Sequence, residues 1–320
     1  MKRMCFSFCV FFFLVNLAAT QEKYAVIPEN PRPGEPVTIC AVGGVRKAAL
    51  ISGGKQLSAS ALFFTVPPAD GKPGFLAAVL TVPSTAAPGD AVIRLENETG
   101  VVHEIPLTIT EREFVSETIE LDVVLTGIRT EPDPQKTAEA DKLWAILNRK
   151  GTVIYHDGSF KMPVTSTRRT SFFGDRRIYK YSTGRSDTSI HSGVDFGVPT
   201  GTKVNACGSG RVVLSVMRIV TGNTVVIEHL PGIYSLYYHM DKLEVKEGAF
   251  VDTGELLGFS GATGLATGPH LHWEVRINGE YADPDAFAAR PILDKNAVLS
   301  KIGYYLPMRK GGDYFGAYYD

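Results

Sequence analysis

His191 and Asp195 in the string HSGVD, with His270 and His272 in GPHLHWEV, are the residues of this 320-residue chain whose types and spacing best suit chemistry. Side chains repeat every two residues along a strand, so the i, i+4 pair His191 and Asp195 is expected on one face. His270 and His272, at i, i+2, also share a face. If the two strands are neighbours, all four groups can aim at one point. Neutral imidazole and carboxylate oxygen are natural zinc ligands. Two His with one acid leave a fourth position for water, which is the catalytic arrangement; a closed structural site would call for four protein ligands rich in Cys. Four candidates for three positions leave one of the last two histidines free for acid–base work.

The elements that must carry these groups read as β. VNACGSGRVVLSV, NTVVIEH, YSLYYHM, ELLGFSG and LHWEVRI are expected strands with Gly-rich turns between them, folded as an antiparallel sheet into a groove. TGLATGPH leads into a strand, so it reads as the turn that delivers His270 and His272 rather than as a phosphate loop. Along YSLYYH, strict alternation sets Ser235, Tyr237 and His239 towards a polar cleft and Tyr234, Leu236 and Tyr238 towards the core. On the residues alone His239 reads as a satisfied structural histidine. His229 and His156 read as surface or capping residues, and His103 as a lone surface or packed one. The polar and aromatic segment 165–190 reads as a long loop beside the site, a natural wall for a substrate groove.

HSGVDFGVPTGTKV, the downstream YYHM and ATGPHLHWEV together resemble the signature segments of the lysostaphin/LytM-type zinc peptidases, the M23 family. The resemblance runs from about Thr165 to Asp285, roughly a third of the chain. It implies one Zn2+ held by His191, Asp195 and His272, with His239 and His270 as catalytic histidines. It also implies an endopeptidase that hydrolyses the peptide cross-links of peptidoglycan by metal-activated water, with D,D bonds as the expected target. Tyr237 is a candidate to assist. The alternative is a LytM-type regulator without catalysis that binds and activates a cell-wall amidase.

The rest of the chain sets the context. Hydrophobic residues make up 44% and charged residues 21%, so the chain can bury real cores. A formal net charge of −1 gives no electrostatic case for nucleic acid. Residues 1–20 read as a signal peptide: Lys2 and Arg3, an apolar run from Phe6 to Leu17, then small residues near a cut. Cys5 and Cys9 lie inside it without a lipoprotein context. Export to the periplasm or cell envelope is therefore expected, with no membrane span after signal removal. Residues 21–110, short β runs punctuated by Pro and Gly, suggest an immunoglobulin-like β-sandwich. Residues 111–150 are a connector. EFVSETIELDVVL suggests a strand there, and a helix is capped by Asp133, opened by Pro134 and ended by Gly151. Residues 151–300 form the expected peptidase domain, and 301–320 a tyrosine-rich tail. The expected partners are peptidoglycan peptide stems, with a cell-wall or divisome protein as a candidate partner for the sandwich. Cys40 and Cys207 read as buried small apolar residues rather than as a bridge.

Overall fold

The computed structural model describes residues 23–301 apart from 70, 72, 101 and 150. The expected signal segment, its two cysteines and the tail beyond residue 301 lie outside the described residues. The fold is mainly β, as the residue pattern implies.

Towards the N-terminus, two antiparallel sheets face each other. One pairs Lys23–Ile27 with Pro36–Val42, then Phe75–Thr81, then Phe64–Val66. The other is built on Val45–Ser52, Gly89–Asn97 and Val102–Ile109. Alternate residues such as Val37, Ile39, Ile93 and Leu95 fill the space between them and are fully buried. The outward alternates Ala25, Cys40, Ala77 and Val79 are also buried, because that face docks on the C-terminal half and joins one apolar cluster with Trp273, Val275 and Phe287. Polar contacts edge the junction: Thr38 donates to the Ile292 carbonyl at 3.0 Å, and Arg112 meets Asp283 at 2.8 Å. Cys40 and Cys207 are both free thiols inside this apolar interior.

The connector holds a strand, Ser116–Glu120, and then two helices. DVVL, read as strand continuation, instead enters the helix Val123–Thr130, because the Asp122 side chain caps it by accepting from the Leu125 N–H at 2.8 Å. The helix Pro134–Leu147 opens on Asp133 and Pro134 as expected, but Asn148 rather than Gly151 closes it. It lays Leu143, Ile146 and Leu147 on the outer face of the C-terminal sheet, against Leu214, Val226 and Leu236. Trp144 is half exposed and has the Arg276 guanidinium over its ring.

Segment 165–190 is not one long loop. It contains Arg169–Ser171 and the hairpin Arg176–Lys180/Ser186–Ile190. Ser116–Glu120 pairs with Arg176–Lys180 in parallel, a long-range pairing that single-segment pattern cannot reveal. The large antiparallel sheet then runs Arg169–Ser171, Gly193–Phe196, Leu271–Ile277, Ile233–Leu243, Gly222–Leu230, Gly210–Arg218 and Phe250–Val251. Its first four strands position the site.

Candidate functional site

The HSGVD and HLHWEV strands are adjacent, and Asp195 lies directly opposite His272 in their register. Gly193 makes the approach possible: a Cβ there would collide with the Trp273 carbonyl and press on His272. His191 sits just before its strand, so its approach to Asp195 comes from the turn and not from strand periodicity. Its backbone N–H donates to the Asp175 carbonyl at 2.8 Å.

Three ligand atoms converge. Asp195 Oδ1 is 2.8 Å from His272 Nδ1 and 3.1 Å from His191 Nε2, and the two ring nitrogens are 3.1 Å apart. All three residues are buried. Ligands about 2.0–2.2 Å from a tetrahedral zinc stand roughly 3.3 Å apart, so the trio fits such an ion with shifts of a few tenths of an ångström. Each donor is oriented from behind. His191 Nδ1 donates to the Phe172 carbonyl at 2.8 Å, which leaves Nε2 as the lone-pair nitrogen. His272 Nε2 faces Glu274 Oε2 at 3.4 Å, which frees Nδ1. Glu274 in turn accepts from Ser192 Oγ at 2.8 Å and from Arg276 Nε. Burial depresses the His272 imidazole, but the Asp195 and Glu274 carboxylates outweigh it and hold the metal-free ring at about 9. Two anions aimed at one buried imidazole make a site that favours a cation.

His270 and His239 flank the trio. His270 Nδ1 donates to the Gly268 carbonyl at 2.8 Å, and its Nε2 stands 3.9 Å from Asp195 Oδ1. His239 Nδ1 donates to the Thr263 carbonyl at 2.8 Å, and its ring centroid is 4.8 Å from that of His270. A carbonyl only accepts, so both imidazoles keep an unprotonated Nε2 when neutral. Burial and then the neighbouring His270 and His272 push His239 down to about 3.

Alternation set Tyr234, Leu236 and Tyr238 in the core correctly, but it misassigned Tyr237 to the cleft, and the cause is local. His239 has φ +60°, a left-handed backbone that few non-glycine residues adopt. That residue breaks the two-residue repeat, so His239 joins the face of Tyr238. Tyr238, opposite His272 in register, stacks on it with centroids 5.2 Å apart. Tyr237 points the other way and is fully buried, its Oη accepting from the Cys207 N–H at 2.9 Å. It cannot assist at the site. His229 is no surface residue either. It is fully buried, with Nδ1 donating to the Ser209 carbonyl and Nε2 2.7 Å from Ser235 Oγ. His156 is half-buried and stacks on Phe160 rather than lying on the surface.

Beside the trio opens a cleft of about 620 Å³ lined by Arg177, Tyr179, Thr221, Tyr238 and His239. Pro83, Ser84 and Thr85 of the sandwich and Arg129 of the connector complete its wall. Glu274 was legible in principle, since it follows His272 by two residues on one strand face. Arg177 was not, since it reaches in from a different sheet.

Comparison with known proteins places this geometry. The profile of Peptidase family M23 matches residues 189–284. The chain is 39% identical over 139 residues to the DD-carboxypeptidase/endopeptidase Mpg of Neisseria meningitidis serogroup B, covering 43% of this chain and 31% of that protein. It is 39% identical over 120 residues to the peptidoglycan DD-endopeptidase ShyA of Vibrio cholerae, covering 37% of this chain and 27% of that one. The chain thus spans about a third or less of the length of the curated relatives it matches. The crystal structure of a candidate M23 peptidase from Pseudomonas aeruginosa aligns over 81% of this chain and 94% of its own, with a TM-score of 0.56 and 26% identity.

Proposed function

Because this chain carries a peptidase family M23 domain, we propose that it is a zinc-dependent endopeptidase that hydrolyses peptide cross-links of bacterial peptidoglycan, D,D bonds being the expected target. The observation that carries this reading is the convergence of His191, Asp195 and His272 beside two imidazoles whose Nε2 atoms are free to accept.

His191 Nε2, Asp195 Oδ1 and His272 Nδ1 would hold the metal. A zinc ion there would supply a Lewis acid for the scissile carbonyl and an acidified water. His270 Nε2, left free to accept, would take the proton from the attacking water and afterwards deliver it to the leaving amine. His239, neutral at pH 7 through its burial, would accept a hydrogen bond from that water and so aim it. Tyr238 stacks on His272 and keeps bulk solvent from its ring. The cleft admits an extended peptide along Tyr179 and Arg177.

The ShyA and Mpg names, and the apolar run and small residues of 1–20, support action on the wall outside the cytoplasm. The sandwich, which contributes Pro83, Ser84 and Thr85 to the cleft wall, serves to gate the groove or to meet a wall-associated partner. A regulator that only activates an amidase would have no use for an intact ligand set with two oriented bases. The test is digestion of purified cross-linked muropeptides by the zinc-loaded protein, with mass analysis of the products. Cleavage of the D-alanyl cross-link, abolished by a chelator and restored by zinc, supports the reading. Intact muropeptides with a zinc-loaded site refute it.

A further inference from the structure

Asp195 presents one carboxylate oxygen to the histidines; the other is held by a residue outside the matched peptidase segment. Arg177 Nη2 donates to Asp195 Oδ2 at 2.7 Å, and Arg177 Nε donates to Glu117 Oε1 at 2.6 Å. We infer that Arg177 is a positioning residue of the metal centre: it occupies the outer oxygen of Asp195, fixes the carboxylate as a one-oxygen ligand, and is itself aimed by Glu117 of the connector. This rests on reading the trio as a zinc site.

Three features carry the inference. The first is burial. The Arg177 side chain is 14% exposed and that of Asp195 8% exposed. A guanidinium this far out of water persists only where carboxylates meet it, and its geometry is then well defined. The second is the fork. Nε and Nη2 lie on one edge of a rigid plane and reach two different acids, a pairing that a lysine point charge cannot reproduce. The third is the route of the chain. Arg177 and Glu117 face each other across the parallel pair Ser116–Glu120/Arg176–Lys180, and Ser171 Oγ also donates to Glu117 at 2.9 Å. A segment upstream of the catalytic sheet therefore reaches the metal centre through one guanidinium. On the far side of the trio, Arg276 holds Glu274 behind His272 in the same manner. Each anion beside the ion position thus has its own arginine, and Asp195 Oδ1 is left as the free donor atom.

The experiment uses the whole protein and measures metal binding rather than turnover. Wild type, Arg177→Met, Arg177→Lys and Glu117→Gln are titrated with zinc against a chromogenic chelator, and the visible absorption of each Co(II)-loaded form is recorded. Groups behind a metal ligand typically contribute about 10- to 100-fold in affinity. Arg177→Met is expected to lose affinity in that range, and its Co(II) bands to shift as Asp195 turns. Arg177→Lys is expected to recover part of the loss, and Glu117→Gln to show a smaller shift in the same direction. If the Met variant does not fold, the Lys and Gln variants decide by the same two readouts. Affinities within about threefold of wild type, or a loss of affinity with unchanged Co(II) bands, would overturn the positioning role and leave the proposed function intact. A wild-type protein that takes up no zinc would overturn both.

Discussion

Tyr238 and His272 sit opposite each other on neighbouring strands with their rings parallel to within 3°. Tyr237, its chain neighbour, lies on the other face in a buried network with Cys207 and Ser235. The two tyrosines should therefore fail differently. Tyr237→Phe removes the acceptor for the buried Cys207 N–H and should cost about 1–3 kcal/mol of stability while leaving kcat nearly unchanged. Tyr238→Ala should lower kcat and loosen zinc, because His272 loses its ring support. Chemical denaturation and muropeptide assays of both variants check this; a tenfold fall in kcat for Tyr237→Phe would contradict it.

The two histidines of HLH should separate metal from base. His272→Ala should lose zinc and activity together. His270→Ala should keep most of its zinc yet lose about a hundred- to ten-thousand-fold in turnover, the usual range for a general base. Metal analysis beside single-turnover rates gives the answer. Equal loss of metal in both variants would mean that the roles within HLH are misassigned.

His239 has to adopt φ +60° to bring its ring into the cleft. Left-handed backbone costs an L-residue about 1–2 kcal/mol, a penalty that glycine avoids. Both His239→Ala and His239→Gly should abolish efficient turnover, yet the Gly variant should be the more stable, by about 1 kcal/mol after its greater unfolded-state freedom is allowed for. Urea midpoints compare them directly. An Ala variant as stable as Gly would show that the left-handed turn is not retained without the imidazole.

How far the sequence foretold this arrangement depends on the range of the interaction involved. HSGVD and HLHWEV pointed to neighbouring strands because residue pattern along a strand is local, and the register Asp195↔His272 bears out that neighbourhood, although His191 and His270 both lie just outside those strands and reach the site from the turns before them. The Asp133–Pro134 helix start was equally local. Alternation failed at His239, where one left-handed residue inverts the face of everything beyond it, a feature no hydrophobicity pattern carries. Segment 165–190 looked like loop because its pairing partner, Ser116–Glu120, lies in the connector and the residues are polar on both faces. His229 looked like a surface residue because its burial depends on Phe160, contributed by a segment that carries no strand signal.

The sandwich residues Pro83, Ser84 and Thr85 narrow the cleft, and Ser84 is tied to the hairpin by Arg176 Nη2 at 2.8 Å from its carbonyl. If this loop gates the groove, replacing Ser84 and Thr85 with Gly–Gly should raise kcat/KM on soluble cross-linked muropeptides several-fold, with zinc content unchanged. An unchanged rate on soluble substrate would remove gating and leave a partner-binding role. Deletion up to Gly151 is a poorer test. It also removes Glu117 and the helix that covers Leu214 and Leu236, so metal binding and stability would change together.

Acid should destabilise the fold through a histidine far from the chemistry. Burial, opposed only in part by the hydrogen bond to Ser209, pushes His229 down to about 3, against an ordinary value of 6.5. Between those limits the unfolded chain binds a proton at this residue that the folded protein refuses. Stability from the neutral ring is thus fully present above pH 6.5 and falls as pH drops, by up to about 1.4 kcal/mol per unit. His239 is depressed to a similar value and adds a parallel loss. His272 in the metal-free protein behaves oppositely, since its raised value near 9 places its contribution below pH 6.5, to be lost as pH rises towards 9. Urea unfolding of zinc-free protein from pH 7 to 4.5 should show the decline. His229→Gln, which has no ring to protonate, isolates one share of it. The stability gap between wild type and this variant should shrink by about 2–3 kcal/mol between pH 7 and 4.5. A gap that stays constant over that interval would mean that His229 is accessible to protons in the folded state.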